Sequence, residues 1–160
     1  MKKNKGFTLV ELLAVIVILA VIILIAINAV LPQMERARKN SFAGEVMIYA
    51  KAAETRYVTE SQEDSVEGDI TAGICYELSD LRGEYITKDD AKYTGIVIIK
   101  KRAGSNIYDK YAYITSGKYK YNNKVSSGNL VPVTKLGQKD IEDGSSLTYA
   151  NCTAWENRDN

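Results

Sequence analysis

The chain has 160 residues, of which 46% are apolar and 26% are charged, and it carries 21 Lys plus Arg against 20 Asp plus Glu. This length suits one globular domain, and the balanced charge favours neither a polybasic nucleic-acid binder nor an acidic disordered tail. Because the chain contains no His and only two Cys, Cys75 and Cys152, its composition excludes ordinary His/Cys zinc sites and His-based catalytic triads.

The apolar residues are concentrated near the N-terminus. In residues 7–31 the only polar side chains are Thr8, Glu11 and Asn28. As a helix that rises about 1.5 Å per residue, this segment would measure about 37 Å, which exceeds a hydrocarbon core of about 30 Å. The sequence therefore predicts a membrane-spanning helix.

A buried core helix and a cleaved secretory signal are the alternatives to a membrane span. A core helix is disfavoured because a domain of this size seldom hides a helix that is apolar on every side. A secretory signal would explain the basic residues Lys2, Lys3 and Lys5. However, the apolar run is longer than the core of a usual signal, no small-x-small cleavage site closes it, and Glu11 lies at its start.

Glu11 is the informative residue of this segment. An ionised side chain inside a bilayer costs about 2.5 to 3.5 kcal/mol, so it needs a partner, yet the next cation along the chain is Arg36. Cleavage after Gly6 would place the new α-amino group of Phe7 four residues before Glu11 on the same helical face, and the amine of a neighbouring subunit would serve equally well. Alternatively, Glu11 lies at the membrane interface, where a carboxylate near a helix start favours the macrodipole.

Residues 5–11, Lys-Gly-Phe-Thr-Leu-Val-Glu, together with the apolar run that follows, resemble the prepilin-type leader of type IV pilins and of the pseudopilins of related secretion and DNA-uptake machines. The resemblance implies that a membrane peptidase cuts after Gly6 and methylates the new N-terminus, Phe7. It also implies that Glu11 neutralises the N-terminus of a neighbouring subunit during assembly. One departure is that many of these pilins carry a helix-bending Pro at the position of Asn28, whereas this chain has Pro32, so we expect any bend nearer the end of the span.

After Pro32 the apolar residues recur at steps of three and four, which predicts that the helix continues to about residue 60. One face of this amphipathic half is expected to pack against the rest of the chain, and the acidic residues 59–69 are expected to form the solvated loop that ends the helix. The predicted buried stripe comprises Met34, Phe42, Val46, Tyr49, Ala50, Ala53 and Tyr57.

The remainder of the chain predicts a small sheet. Residues 74–81 are predicted to form a short helix with Leu78 and Leu81 inward, and residues 93–100, 108–115 and 118–124 to form a three-stranded antiparallel meander. Residues 131–135 would add a fourth strand, which Pro132 confines to an edge. The expected fold is α+β and type IV pilin-like, with a leader at 1–6, a transmembrane or filament-core helix at 7–31, its amphipathic continuation at 32–60 and a globular head at 61–160.

Three features of the head have competing interpretations. Tyr and Lys alternate in residues 108–124, which could stack nucleic-acid bases but is more typical of a half-buried sheet with a wet face. Cys75 and Cys152 could pair or stay free, and the resemblance favours pairing because many pilins have a disulfide near the carboxyl end. The acidic residues 140–143 could hold calcium, although a solvated turn is the better interpretation, and residues 151–153 formally match a glycosylation acceptor.

The resemblance implies a structural subunit of a type IV pilus. An enzyme is least expected because the sequence shows no nucleophile-base-orienter set and no phosphate-cradling Gly loop, and neither a cofactor nor a metal is expected. The implied partners are further copies of the chain in a helical filament, the prepilin peptidase, the pilus assembly platform, its motor ATPase and, before assembly, the cytoplasmic membrane. Host surfaces or DNA are candidate contacts of the assembled surface filament, which would serve adhesion, motility or aggregation. The alternatives are a minor pilin or pseudopilin of a type II secretion or DNA-uptake system, and a solitary membrane-anchored extracellular binding domain.

Overall fold

The computed structural model of the chain describes residues 6–86, 92–126 and 129–157. These residues fall into two compact units, within residues 1–38 and within residues 39–160. One long helix, α1 (Leu9–Gln62), supplies the regular structure among residues 6–38 and continues into the second unit. Pro32 lies inside this helix, and the position of any bend there stays a prediction.

In the second unit, the buried face of α1 begins at Phe42 and ends at Tyr57. The predicted stripe is confirmed over this range, but it is wrong for Met34, which lies in the first unit and is 45% exposed. Ala50 and Ala53 are fully buried in the stripe, between the aromatic residues Tyr49 and Tyr57. The ring of Phe42 lies 5.8 Å from that of Tyr93, and the ring of Tyr57 lies 4.9 Å from that of Tyr108.

The sheet beside α1 has five antiparallel strands in the order β1-β2-β3-β4-β7. The strands and the short helix between them are β1 (Ile74–Glu77), α2 (Leu78–Leu81), β2 (Thr94–Lys101), β3 (Tyr108–Thr115), β4 (Tyr119–Asn122) and β7 (Glu142–Asp143). A separate two-stranded ribbon pairs β5 (Val125–Ser126) with β6 (Asn129–Leu130), and the chain also has a 3-10 turn at Gln138–Asp140 and a last helix, α3 (Cys152–Glu156). The α+β architecture and the central meander of β2, β3 and β4 are confirmed.

Two predicted elements are wrong in part. The helix predicted over residues 74–81 begins only at Leu78, because residues 74–77 alternate between buried and half-buried positions and pair with β2 as a strand. Residues 131–135 form no strand. Val131 and Val133 each donate one isolated backbone hydrogen bond, of 2.8 Å to Lys124 and 2.7 Å to Lys110, and Pro132 between them has no N–H with which to continue a ladder.

Residues 144–157 cover the face of the sheet that is turned away from α1, and we call them the C-terminal strap. Near its start, Thr148 N–H donates to Asn122 at 2.9 Å. The ring of Tyr149 then packs 5.0 Å from that of Tyr113 and 5.3 Å from that of Trp155, over the middle of the sheet. The strap thus builds a second small core, separate from the core under α1.

Candidate processing and assembly site

The first turn of α1 is organised by a reciprocal pair of side chains, Thr8 and Glu11. Thr8 donates its backbone N–H at 2.8 Å and its hydroxyl at 2.9 Å to Oε2 of Glu11, and Glu11 N–H donates to Thr8 Oγ1 at 3.2 Å. This is a capping box, in which the hydroxyl and the carboxylate satisfy backbone N–H groups that have no partner in the helix. Thr8 is a capping residue that the sequence analysis missed, although the spacing Thr-x-x-Glu is the signal of such a box.

The two oxygens of the Glu11 carboxylate are used unequally. Oε2 accepts both bonds from Thr8, whereas Oε1 makes no hydrogen bond within the part of the chain that the structure describes. The residue is exposed in this single copy. Glu11 can therefore cap its own helix and still present one oxygen to a cation from outside.

Gly6 and Phe7 lie just before the helix, in backbone without regular structure. Both residues are exposed, and the Phe7 side chain is 88% exposed. A side-chain carbon added at Gly6 would meet no atom within 4 Å, so the fold itself places no demand on glycine at this position. The peptide bond between Gly6 and Phe7 therefore joins two exposed residues just before the capping box.

The apolar half of α1 is suited to hydrocarbon surroundings. Residues 9–31 are exposed on every side, and the helix is long and apolar enough to cross a membrane. Its one amide side chain, Asn28, donates to the carbonyl of Leu24 at 3.3 Å, which satisfies one of its two N–H donors within the helix. Apart from Glu11 near its start and the amide of Asn28, the side chains that this segment exposes are apolar.

In the head, the two cysteines are joined. Cys75 on β1 and Cys152 at the start of α3 form a disulfide with their Cα atoms 5.6 Å apart. The bond attaches the far end of the C-terminal strap to the edge strand of the sheet. Asn151, in the formal glycosylation triplet, accepts a hydrogen bond from Ala154 N–H at 2.8 Å and so caps α3.

The three acidic residues within 140–143 form ion pairs. Asp140 pairs with Lys124, Glu142 lies 3.4 Å from Lys120, and Asp143 lies 2.9 Å from Lys39 on α1. Among the described residues no group of three or more His, Cys, Asp or Glu is arranged to hold a metal ion. These three carboxylates thus hold the end of the sheet to its neighbours.

The alternating Tyr and Lys residues of 108–124 serve the fold. The rings of Tyr111, Tyr113, Tyr119 and Tyr121 are buried, which removes the faces on which bases would stack. The Lys110 ammonium lies 3.1 Å from Glu54 of α1, and this ion pair ties strand to helix. The arrangement favours the half-buried sheet over the base-stacking surface.

Comparison with known proteins bears on the N-terminal segment. The family described as the prokaryotic N-terminal methylation motif matches residues 1–27. No curated protein and no solved structure matches the chain. The family match covers the capping box, the residues before it and most of the apolar half of α1.

Proposed function

We propose that this chain, a type IV pilin-like protein that carries the type IV prepilin signal, is a structural subunit of a type IV pilus. The methylation motif and the long apolar helix fit a membrane-anchored precursor of a surface pilus. The observation that supports the proposal most directly is the unequal use of Glu11, whose Oε2 is bound to Thr8 while Oε1 stays available at the start of the apolar helix. A carboxylate placed in this way can receive the amine of another copy.

Processing creates that amine. Hydrolysis of the peptide bond after Gly6 leaves a carboxylate on the leader and an ammonium group on Phe7, and methylation keeps the nitrogen cationic. The leader takes with it Lys2, Lys3 and Lys5, so the mature chain has 18 basic and 20 acidic side chains, a formal charge of −2. Long-range repulsion between mature copies is therefore weak.

Assembly moves the apolar half of α1 from lipid into a filament core. Because lipid is as apolar as the core, this transfer gains little from the hydrophobic effect, and packing between helices must be accompanied by work from the assembly platform and its motor ATPase. A buried ion pair seldom adds much net stability, but leaving one charge unpaired is costly. The pair between Glu11 and the Phe7 amine of a neighbour therefore sets the register of the helices and rejects misaligned neighbours.

The first experiment separates the two possible roles of Glu11. Glu11→Gln keeps an oxygen that can accept from Thr8, so it preserves a capping box without the negative charge, whereas Glu11→Ala removes both. If Glu11 acts by neutralising an amine, both variants are cleaved and stay in the membrane, but neither yields surface filaments. The readouts are filament yield after shearing and the N-terminal sequence of the membrane fraction.

The outcome with Glu11→Gln is decisive. If this variant assembles like the unaltered chain while Glu11→Ala does not, Glu11 acts as a helix cap alone and the proposed pairing is wrong. If both variants assemble, the Glu11 carboxylate is not needed for assembly. Abundance separates the finer alternatives, because a major pilin forms the bulk of sheared filaments whereas a minor pilin or pseudopilin is a trace component, and a solitary binding domain is absent from them.

A further inference from the structure

Two open cavities of opposite charge lie close together on the head, near the end of α1. The first, the basic cavity, has a volume of 580 Å³ and is lined by Thr71, by Lys100 and Lys101 at the end of β2, and by residues 102–106 of the β2–β3 turn, which begin with Arg102. The second, the acidic cavity, has a volume of 530 Å³. Its charged lining residues are Arg56, Glu60, Glu67, Asp80 and Glu156.

The loop of residues 68–74 separates the two cavities. Gly68 and Ile74 line the acidic cavity, whereas Thr71 lines the basic one. The loop is fixed in place because Lys101 N–H donates to the carbonyl of Ile70 at 3.0 Å, and because Asp69 accepts from Thr71 N–H at 2.8 Å. The basic and acidic cavities therefore lie side by side on one head, and the loop keeps their charged side chains apart.

Some of the lining charges are already used within the head. Oε1 of Glu60 accepts from Arg56 at 2.7 Å and its Oε2 accepts from the Tyr76 hydroxyl at 2.7 Å. Arg102 is likewise engaged, since its Nε donates to Asp109 at 3.0 Å.

Four charged side chains make no close ion pair, although Lys100 is near enough to the Asp69 carboxylate to attract it. Within the described residues, the side chains of Lys100 and Lys101 in the basic cavity form no ion pair, and neither do those of Glu67 and Glu156 in the acidic cavity. Lys101, Glu67 and Glu156 are exposed, and Lys100 is half-buried. Each head thus offers two cations in one cavity and two carboxylates in the other.

We propose that the basic cavity of one head docks against the acidic cavity of a second copy of this chain. The inference rests on the proposed function, for which it names a contact between neighbouring heads. Adjacent complementary cavities could also pair reciprocally in a closed two-fold dimer, but copies whose helices all point the same way along a filament have no such axis between them. In the filament the contact is therefore heterologous, and a head that uses its basic cavity for one neighbour keeps its acidic cavity for the next.

The contact selects orientation more than it supplies affinity. Exposed ion pairs are individually weak, and complementary charge mainly steers association and suppresses wrong arrangements. Heads alone would therefore not polymerise through it. On subunits already held together by their apolar helices, a repeated contact of this kind favours one placement of each head beside the next.

Charge reversal of the four available residues tests the contact in the full-length chain. One variant carries Lys100→Glu with Lys101→Glu, and the other carries Glu67→Lys with Glu156→Lys. Each variant alone places like charges in facing cavities, and we expect filament yield to fall by about tenfold or more. When the two variants are expressed together, each cavity again meets its opposite, so filaments that contain both chains return. In each variant both cavities carry charge of the same sign, so recovery in the mixture can come only from contacts between the two different chains.

A matched control reverses two exposed lysines outside both cavities, Lys135→Glu with Lys139→Glu, and should assemble like the unaltered chain. Each reversal variant must also be recovered from membranes with its disulfide formed and with Phe7 at its N-terminus. If either reversal variant assembles normally, or if the mixture fails to recover, the contact between heads is wrong. In that case the proposed function stands as long as the unaltered chain forms filaments and Glu11→Ala does not. If the unaltered chain forms no filament, both the proposed pilus subunit and the proposed contact between heads are wrong.

Discussion

At the scale of single residues, Gly95 on β2 occupies the most restrictive position in the head. Its φ is +134°, and a side-chain carbon there would lie 2.0 Å from the carbonyl oxygen of Tyr113 on the neighbouring strand. Backbone that belongs to a central ladder cannot move aside without breaking its own hydrogen bonds.

We therefore expect Gly95→Ala to lower the free energy of unfolding by more than about 2 kcal/mol, because it combines a clash with a conformation that L residues avoid. Gly137→Ala is the control, since a side chain at Gly137 meets nothing within 4 Å and its φ is −145°. Thermal unfolding of the detergent-solubilised full chain, followed by near-UV circular dichroism, measures both variants. Equal melting temperatures for the two would contradict the assigned backbone at Gly95.

Burial of Tyr121 is expected to make the head less stable at alkaline pH. Burial, with a smaller contribution from the nearby Asp140 carboxylate, raises the pKa of Tyr121 from its ordinary value of 10.0 to about 12. Between these two pH values the unfolded chain has lost the phenolic proton while the folded chain keeps it, so stability falls as pH rises. The loss attributable to Tyr121 is about 2 to 3 kcal/mol across this window.

Tyr121→Phe removes the proton that titrates and should flatten the dependence of the free energy of unfolding on pH between 10 and 12. Part of the slope should remain, because burial also raises the pKa of Tyr57 and Tyr111. Denaturant titrations at a series of pH values give the slope for each chain. An unchanged slope in the variant would show that Tyr121 is accessible to solvent in the folded head.

At the scale of secondary-structure elements, the C-terminal strap depends on its two attachments. It leaves the sheet after β7 and is joined by the disulfide to β1 at the opposite edge, so Trp155 and Tyr149 stay packed on Tyr113. Apart from α3 the strap has little regular structure, so the disulfide and the aromatic packing together hold it on the sheet.

Replacing both cysteines by Ser should lower the free energy of unfolding by about 2 to 5 kcal/mol, in line with the loss of a disulfide that closes a long loop. The strap should then loosen before the core under α1 unfolds, and the fluorescence of Trp155, which is 4% exposed in the intact head, should shift to longer wavelength. Reduction of the unaltered chain should reproduce the shift, and reoxidation should reverse it. Fluorescence that is the same with and without the disulfide would mean that the strap packs unaided.

Elements with a strong period could be predicted from the sequence, and elements set by distant contacts could not. The 3.6-residue stripe from Phe42 to Tyr57 and the β-rich runs of β2 and β3 carry their own signal. The strand β1 is four residues long and is defined by pairing with β2, and β7 has only two residues, so neither has a readable period. The motif predicts roles for Gly6, Phe7 and Glu11, and these stay predictions, whereas the acidic cavity joins residues far apart in sequence and needed the fold.

At the scale of the whole molecule, the two units differ in how they treat apolar side chains. The first exposes hydrocarbon along residues 9–31, whereas the second closes a core under α1 and a further one under the strap. A chain of this kind is stable as a single copy only while lipid or detergent covers the apolar helix. Stacking of copies covers the same surface with protein, provided that Glu11 finds a positive charge there.

The measurement that addresses this account most directly is the intact mass of the subunit recovered from purified surface filaments. We expect one species that begins at Phe7, carries one added methyl group on its α-nitrogen and lacks both thiol hydrogens of Cys75 and Cys152. Fragmentation of the N-terminal peptide locates the methyl group. Filaments built from chains that still carry residues 1–6 would contradict the account, because no free amine would then exist at Phe7 to meet Glu11.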